Sequence, residues 1–317
     1  MDQFLICHRG ALGDFILTWP ALYTLKRSLP DLRFIGVGRT EYMRLAIRLG
    51  LLDSCCSAES SEMVGFFSGQ CIPSMPGMPG FSKGAIQGAI LWLAEGQAVA
   101  ELLKKSGASL PVALIPPFPR KRMHVGLYQW LAVQSWFPSH FPIEAPDPPI
   151  PASPIPDSQI PDSCSPCFSL GSRRGEYALI HPGSGSTAKN YHPQVYCDLA
   201  DELRHRGYSE VRFVLGPAEA QDKIIAQYLA GERVEAPEDV EALARLQAGA
   251  SIYLGNDSGA SHLAGVLGTP TIALYKVTDP EVWGVMGCRV TNLKALNGDS
   301  ALQQVRECLD GIGKRRF

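Results

Sequence analysis

The run Ser251-Ile-Tyr-Leu-Gly-Asn-Asp-Ser-Gly-Ala-Ser-His-Leu-Ala-Gly-Val-Leu-Gly-Thr-Pro270 constrains the fold more than any other stretch of the chain. An apolar strand at Ile252–Leu254 enters a small polar turn, and a helix opens at Asp257-Ser258-Gly259. Gly268-Thr269-Pro270 stops that helix, and Thr271–Tyr275 reads as the next buried strand. The first N–H groups of a helix have no partner within it, and its dipole places positive potential there. With Gly259 allowing close approach of a ligand, the turn suits an anion such as a diphosphate.

The same alternation runs through both halves. In the first, the strand Phe4–His8, the turn Arg9-Gly-Ala-Leu-Gly-Asp14, a helix over about 15–28 and the strand Arg33–Gly38 make a βαβ unit broken at Leu29-Pro30-Asp31. A helix over about 41–49 follows, then a Ser/Gly/Met/Pro-rich surface loop at 57–82. The longest apolar stretch, Ala85–Leu103, carries Gln87, Glu95, Gly96 and Gln97, so it reads as an amphipathic or buried helix and not a membrane span. Helices near 84–106 and 126–136 are thus expected to flank the apolar run Val112–Ile115. In the second half the strand Tyr177–Ile180, a turn from His181, a helix over 193–207, the strand Val211–Leu215 and helices over 218–230 and 240–248 precede the stretch described first. Ten prolines between Pro138 and Pro166 exclude a helix or central strand there. The expected class is α/β with two parallel-sheet domains, 1–168 (the proline-rich linker 138–168 included) and 169–317.

A length of 317 residues supports two full cores, and a charged fraction of 19% with net charge −2 gives no general pull toward nucleic acid. Two local basic clusters, Arg120-Lys121-Arg122 and Lys314-Arg315-Arg316, read as solvated surface or as contacts for anionic lipid headgroups. Nine scattered cysteines, with no secretory signal before the first strand, predict free thiols and a reducing, cytoplasmic setting. Cys164-Ser-Pro-Cys167 is the single CxxC, without the second pair that a metal site would need.

Three polar turns, 9–14, 181–189 and 255–262, follow strands in the position where open α/β sheets bind ligands. Asp14 is either a helix cap or a carboxylate able to take a proton from a hydroxyl, and Gly10 and Gly13 leave its turn room for a ligand. His181-Pro-Gly-Ser-Gly-Ser-Thr-Ala-Lys189 is either a connecting loop or a phosphate cradle closed by one lysine; it lacks the spacing of a Walker A loop. His262 stands one turn into its helix with no second histidine at metal-ligand spacing, so no metal is expected. Glu219 serves either the start of its helix or a nucleotide ribose.

Taken together these motifs resemble the family 9 glycosyltransferases, best known for the ADP-heptose:lipopolysaccharide heptosyltransferases. The resemblance is carried by Arg9-Gly-Ala-Leu-Gly-Asp14 with Thr18-Trp-Pro-Ala-Leu22, by His181-Pro-Gly-Ser-Gly185 through Lys189, by Gly216-Pro-Ala-Glu219, and by Gly255-Asn-Asp-Ser-Gly-Ala-Ser-His262 with Thr278-Asp-Pro280. It implies a GT-B architecture of two Rossmann-like domains facing a cleft, and an inverting transfer that needs neither cofactor nor metal. Asp14 would be the base that deprotonates the acceptor hydroxyl, and Lys189 with the 257–259 helix start would stabilise the leaving diphosphate. Gly13, Ser184, Thr187, Asp257, Ser258, Gly259 and His262 would line the donor, with Glu219, Thr278 and Asp279 toward ribose and base. The implied donor is ADP-heptose or a related nucleotide sugar. The implied acceptor is lipid-linked or polysaccharide, met at the inner face of the cytoplasmic membrane. A nucleotide-sugar epimerase and a non-catalytic nucleotide-sugar-binding protein are the rival readings. The chain departs from the family pattern in two places: Lys189-Asn-Tyr191-His192 stands where Lys-x-Trp-Pro is common, and Lys276 stands where glycine is usual.

Overall fold

The computed structural model describes residues 2–72, 86–106, 110–139, 166–171, 175 and 177–313. The linker residues 140–165, the later part of the 57–82 loop, Cys164 and the 314–316 basic cluster lie outside the described residues. The chain forms two compact units, Met1–Cys164 and Ser165–Phe317.

In the first unit the elements run β1 (Gln3–His8), α1 (Leu12–Ile16), α2 (Trp19–Ser28), β2 (Arg33–Gly38), α3 (Thr40–Arg48), β3 (Ser54–Ser57), α4 (Met63–Phe67), β4 (Ile86–Trp92), α5 (Gln97–Ser106), β5 (Val112–Leu114) and α6 (Val125–Trp136). The sheet is parallel throughout, in the order β3-β2-β1-β4-β5. Its central strand β1 is buried along its whole length, which is why it reads as an unbroken apolar run. One face, through Leu5, Cys7 and Leu91, packs on Phe66, Val99 and Leu103 of α4 and α5. On the other, Phe4 stacks on Phe34 at 5.2 Å and meets Trp136 of α6 edge-on at 6.5 Å.

Two expectations fail in this unit. Residues 86–92, expected to be helical, form strand β4 between β1 and β5. Buried on both faces, that strand shows no alternation, so its apolar run was indistinguishable from the helix that follows it. The helix expected over 15–28 is two helices that part at Leu17-Thr18, with Pro20 near the start of α2. Proline has no N–H to continue the ladder, whereas near a new helix start none is needed.

In the second unit the elements run β6 (Tyr177–His181), α7 (Pro193–His205), β7 (Glu210–Val214), α8 (Pro217–Ala220), α9 (Lys223–Tyr228), β8 (Arg233–Glu235), α10 (Val240–Gly249), β9 (Ile252–Asn256), α11 (Gly259–Val266), β10 (Thr271–Tyr275), α12 (Pro280–Trp283), β11 (Val290–Lys294) and α13 (Gly298–Gly313). All six strands are parallel, in the order β11-β10-β9-β6-β7-β8. The helix expected over 218–230 breaks before Asp222, whose carboxylate accepts the Ile224 N–H at 2.8 Å and caps α9. Free thiols were expected throughout, but Cys167 and Cys288 are disulfide-bonded, their Cα atoms 6.5 Å apart. The segment holding Cys167 lies along the end of α11, where Phe168 N–H donates to Val266 C=O at 2.7 Å, and this brings two cysteines far apart in sequence together.

Strand order reverses between β1 and β4 in the first sheet and between β6 and β9 in the second. At such a reversal the crossover helices leave to opposite faces and open a crevice at the carboxyl ends of the strands. The turns after β1, β6 and β9 are the ones that carry the residues singled out from sequence.

Candidate functional site

In the second unit the reversal point is built by the turn after β6 and by the start of α11 after β9. Lys189 ends a short 3-10 turn, Thr187–Lys189, and its Nζ donates to Asp257 Oδ2 at 2.6 Å. Thr278 Oγ1 donates to the same oxygen at 2.7 Å, so three turns meet on one carboxylate that is nearly buried. His262 Nε2 lies 3.9 Å from Asp257 Oδ1. Ser258 caps α11, its hydroxyl accepting the Ser261 N–H at 3.3 Å. The N–H groups of Gly259 and Ala260 find no acceptor among the described residues. The corner thus holds a cation, a hydroxyl and two open backbone donors at the positive end of a helix.

Ser184 is turned inward: its hydroxyl donates to Asn190 Oδ1 at 2.7 Å and accepts the Ser186 N–H at 3.2 Å. Thr187 is exposed at the head of the 3-10 turn. Glu219 is buried, its carboxylate lying against the backbone of Gly183 and Gly216. A Cβ at Gly183 would overlap that carboxylate, so this glycine is required by close approach and not by backbone angle. Burial pulls the pKa of His181 below its ordinary value, against an opposing pull from Glu219. Asp279 accepts the Glu281 N–H at 3.0 Å, capping α12.

Sequence reasoning missed the residue that holds this corner together. Asn256, fully buried at the end of β9, donates to Pro182 C=O at 2.9 Å and Asn190 Oδ1 at 3.2 Å, and accepts from Tyr196 OH at 2.9 Å. The Tyr196 oxygen in turn accepts the Tyr191 N–H at 3.1 Å. One amide therefore pins the whole 182–191 loop to the strand next to Asp257. Asn256 stood inside the motif, but its partners Pro182 C=O, Asn190 Oδ1 and Tyr196 OH lie 74, 66 and 60 positions upstream, and nothing in the sequence pairs them with it. Tyr191 is buried and donates to Ala295 C=O at 2.5 Å.

In the first unit Asp14 is the third residue of α1, not its N-cap residue, which is Ala11; its Oδ2 reaches back to accept the Ala11 N–H at 3.3 Å and so closes the helix start. Gly13 precedes it, half-buried within the same helix turn. A Cβ on Gly10 would lie 3.2 Å from Asp14 Oδ2 and 2.9 Å from the ring carbon Cε1 of His8. His8 and Asp14 therefore both approach the place a Gly10 side chain would take, at the carboxyl end of β1. Burial draws the His8 pKa down to about 4, so its imidazole is neutral near pH 7. Among the described residues no group of three or more His, Cys, Asp or Glu is placed to hold a metal ion.

The sequence profile of Glycosyltransferase family 9 (heptosyltransferase) matches residues 151–311. The chain belongs to glycosyltransferase family 9. Lipopolysaccharide heptosyltransferase 1 of Escherichia coli (strain K12) is 28% identical over 146 residues, 43% of this chain and 46% of that protein. The chain thus spans about half the length of this curated relative. The solved E. coli heptosyltransferase WaaC with ADP is similar over 96% of this chain and 99% of its own, with TM-score 0.66 at 17% identity. E. coli ADP-heptose lps heptosyltransferase II is similar over 98% of this chain and 99% of its own, with TM-score 0.63 at 14% identity. The two parallel-sheet units are those of the GT-B class, as the resemblance led one to expect.

Proposed function

We propose that this chain moves a sugar, a heptose or a close relative, from an ADP-linked donor to a hydroxyl of a lipid-linked or polysaccharide acceptor. The observation that carries the reading is the meeting of Lys189 and Thr278 on Asp257 at the first turn of α11, beside two open N–H groups. That assembly suits a diphosphate leaving group, whose charge grows as its bond to the sugar breaks. The similar E. coli heptosyltransferase WaaC is solved with ADP and with ADP-2-deoxy-2-fluoro heptose, which favours an adenine nucleotide.

The reaction needs one further group. Asp14 takes the proton of the acceptor hydroxyl while its oxygen bonds to the anomeric carbon from the side opposite the diphosphate. The anomeric carbon–oxygen bond breaks, the electron pair leaves with ADP, and the configuration inverts. Lys189 and the N–H groups of Gly259 and Ala260 hold the charge that a metal ion would otherwise balance. Glu219, buried against Gly183, takes the ribose hydroxyls, with Thr278 and Asp279 toward the base. The acceptor would be met at the inner face of the cytoplasmic membrane by surface contact; no described helix is long and apolar enough to cross a membrane.

Thermal-shift titration with ADP-, GDP-, UDP- and CMP-linked sugars tests the donor, since a ligand stabilises in proportion to the logarithm of its excess. ADP-linked sugars should shift the midpoint most; no shift with any of them would refute the proposal. Product analysis then separates transfer from epimerisation: a transferase yields ADP with an acceptor present, whereas an epimerase changes the donor alone.

A further inference from the structure

Lys276 and Lys294 stand at the carboxyl ends of β10 and β11, beside the turn that carries Thr278. Lys276 is half-buried and donates from Nζ to Asn190 C=O at 2.8 Å, one residue after Lys189. Its ammonium lies 5.8 Å from the Tyr191 ring, a contact that the usual glycine could not make. Lys294 Nζ donates to Thr278 C=O at 2.7 Å and to Lys276 C=O at 3.2 Å, which closes the 276–278 turn and steadies the backbone of Lys276. Of the three lysines, Lys189 alone meets an acid, Asp257; Lys276 and Lys294 bond only neutral carbonyls and make no ion pair among the described residues. Three ammonium groups thus stand around the Asp257 carboxylate and the 276–278 turn, with Asp279 the next acid along that turn.

We propose that Lys276 is a second cationic residue of the donor-diphosphate site, an inference that rests on reading the α11 corner as that site. A carbonyl is a weak acceptor for an ammonium compared with a phosphate oxygen, so an arriving diphosphate outcompetes Asn190 for it. In the free protein the bond to Asn190 parks the charge on the loop that also presents Lys189. The bound diphosphate then meets two ammonium groups from two different turns, in a position where the family pattern supplies one.

The test is calorimetric binding of inorganic pyrophosphate to the full chain at low and moderate salt, for wild type, Lys276→Met, Lys276→Gly and Lys276→Arg. Pyrophosphate makes the result independent of which base the donor carries. Removing the charge should weaken binding about tenfold and flatten its salt dependence, and arginine should restore most of both. The glycine variant keeps the test open should methionine disturb folding. Wild-type affinity and salt dependence in both neutral variants would overturn the proposal, as would an arginine variant as weak as the neutral ones. A lysine that served only as a tether would lower the melting midpoint and leave the salt dependence untouched. If wild type bound neither pyrophosphate nor any nucleotide sugar, the donor site itself would fall, a failure readily told apart from the others.

Discussion

His8 shows how one buried side chain ties stability to pH. Its pKa is drawn down from 6.5 to about 4 by burial, so the unfolded chain takes up a proton in that window and the folded chain does not. His8 thus contributes stability that is fully present above about pH 6.5 and is lost as pH falls toward 4, up to about 3 kcal/mol in all. His181, shifted in the same direction, adds to this acid limb. Urea denaturation between pH 7 and pH 4 should show the fall, and His8→Asn should make the curve flatter; parallel curves would contradict the assignment. At this scale the residues that meet at the first turn of α11 were legible as a polar turn, because glycine, serine, aspartate and lysine recur there at short spacing. Asn256 was not, since an amide that bonds distant carbonyls looks like any other loop asparagine.

Among the elements, the 182–191 loop and the first turn of α11 depend on each other through Asn256. Asn256→Ala leaves Pro182 C=O, Asn190 Oδ1 and Tyr196 OH short of a buried partner, which should cost about 1–3 kcal/mol. The loosened loop should also raise the donor KM, because Lys189 is no longer held beside Asp257. Denaturation and steady-state kinetics on the same sample check both, and an unchanged KM would mean the loop holds its shape without the clamp. Gly183→Ala should act on the other side of the loop, pushing the Glu219 carboxylate aside and weakening nucleotide binding at little change in the first unit. Element type was plain from sequence wherever a strand ended in a glycine-rich turn. It failed at 86–92, where a strand buried on both faces has no alternation, at Leu17-Thr18, where Pro20 starts a new helix, and at Asp222, where a capping carboxylate does the same.

For the whole molecule, each unit is a complete parallel α/β layer with its own reversal of strand order, and each reversal presents a different chemistry. The first offers a carboxylate at Asp14; the second offers Lys189 and open helix N–H groups. The first unit also exposes Phe118, Arg120 and Lys121 on one loop, where the proposed contact with anionic headgroups would fall. Arg120→Glu with Lys121→Glu should reduce cosedimentation with phosphatidylglycerol vesicles and leave pyrophosphate binding as it was; equal sedimentation would remove the membrane role from this loop.

The division of labour between the two units is tested most directly by comparing Asp14→Asn with Lys189→Ala in ADP titration and in sugar transfer on the same preparations. Asp14→Asn should keep the ADP affinity of wild type and lose transfer by about a hundredfold or more, whereas Lys189→Ala should lose both. Wild-type transfer by Asp14→Asn, or wild-type ADP affinity in Lys189→Ala, would contradict the account.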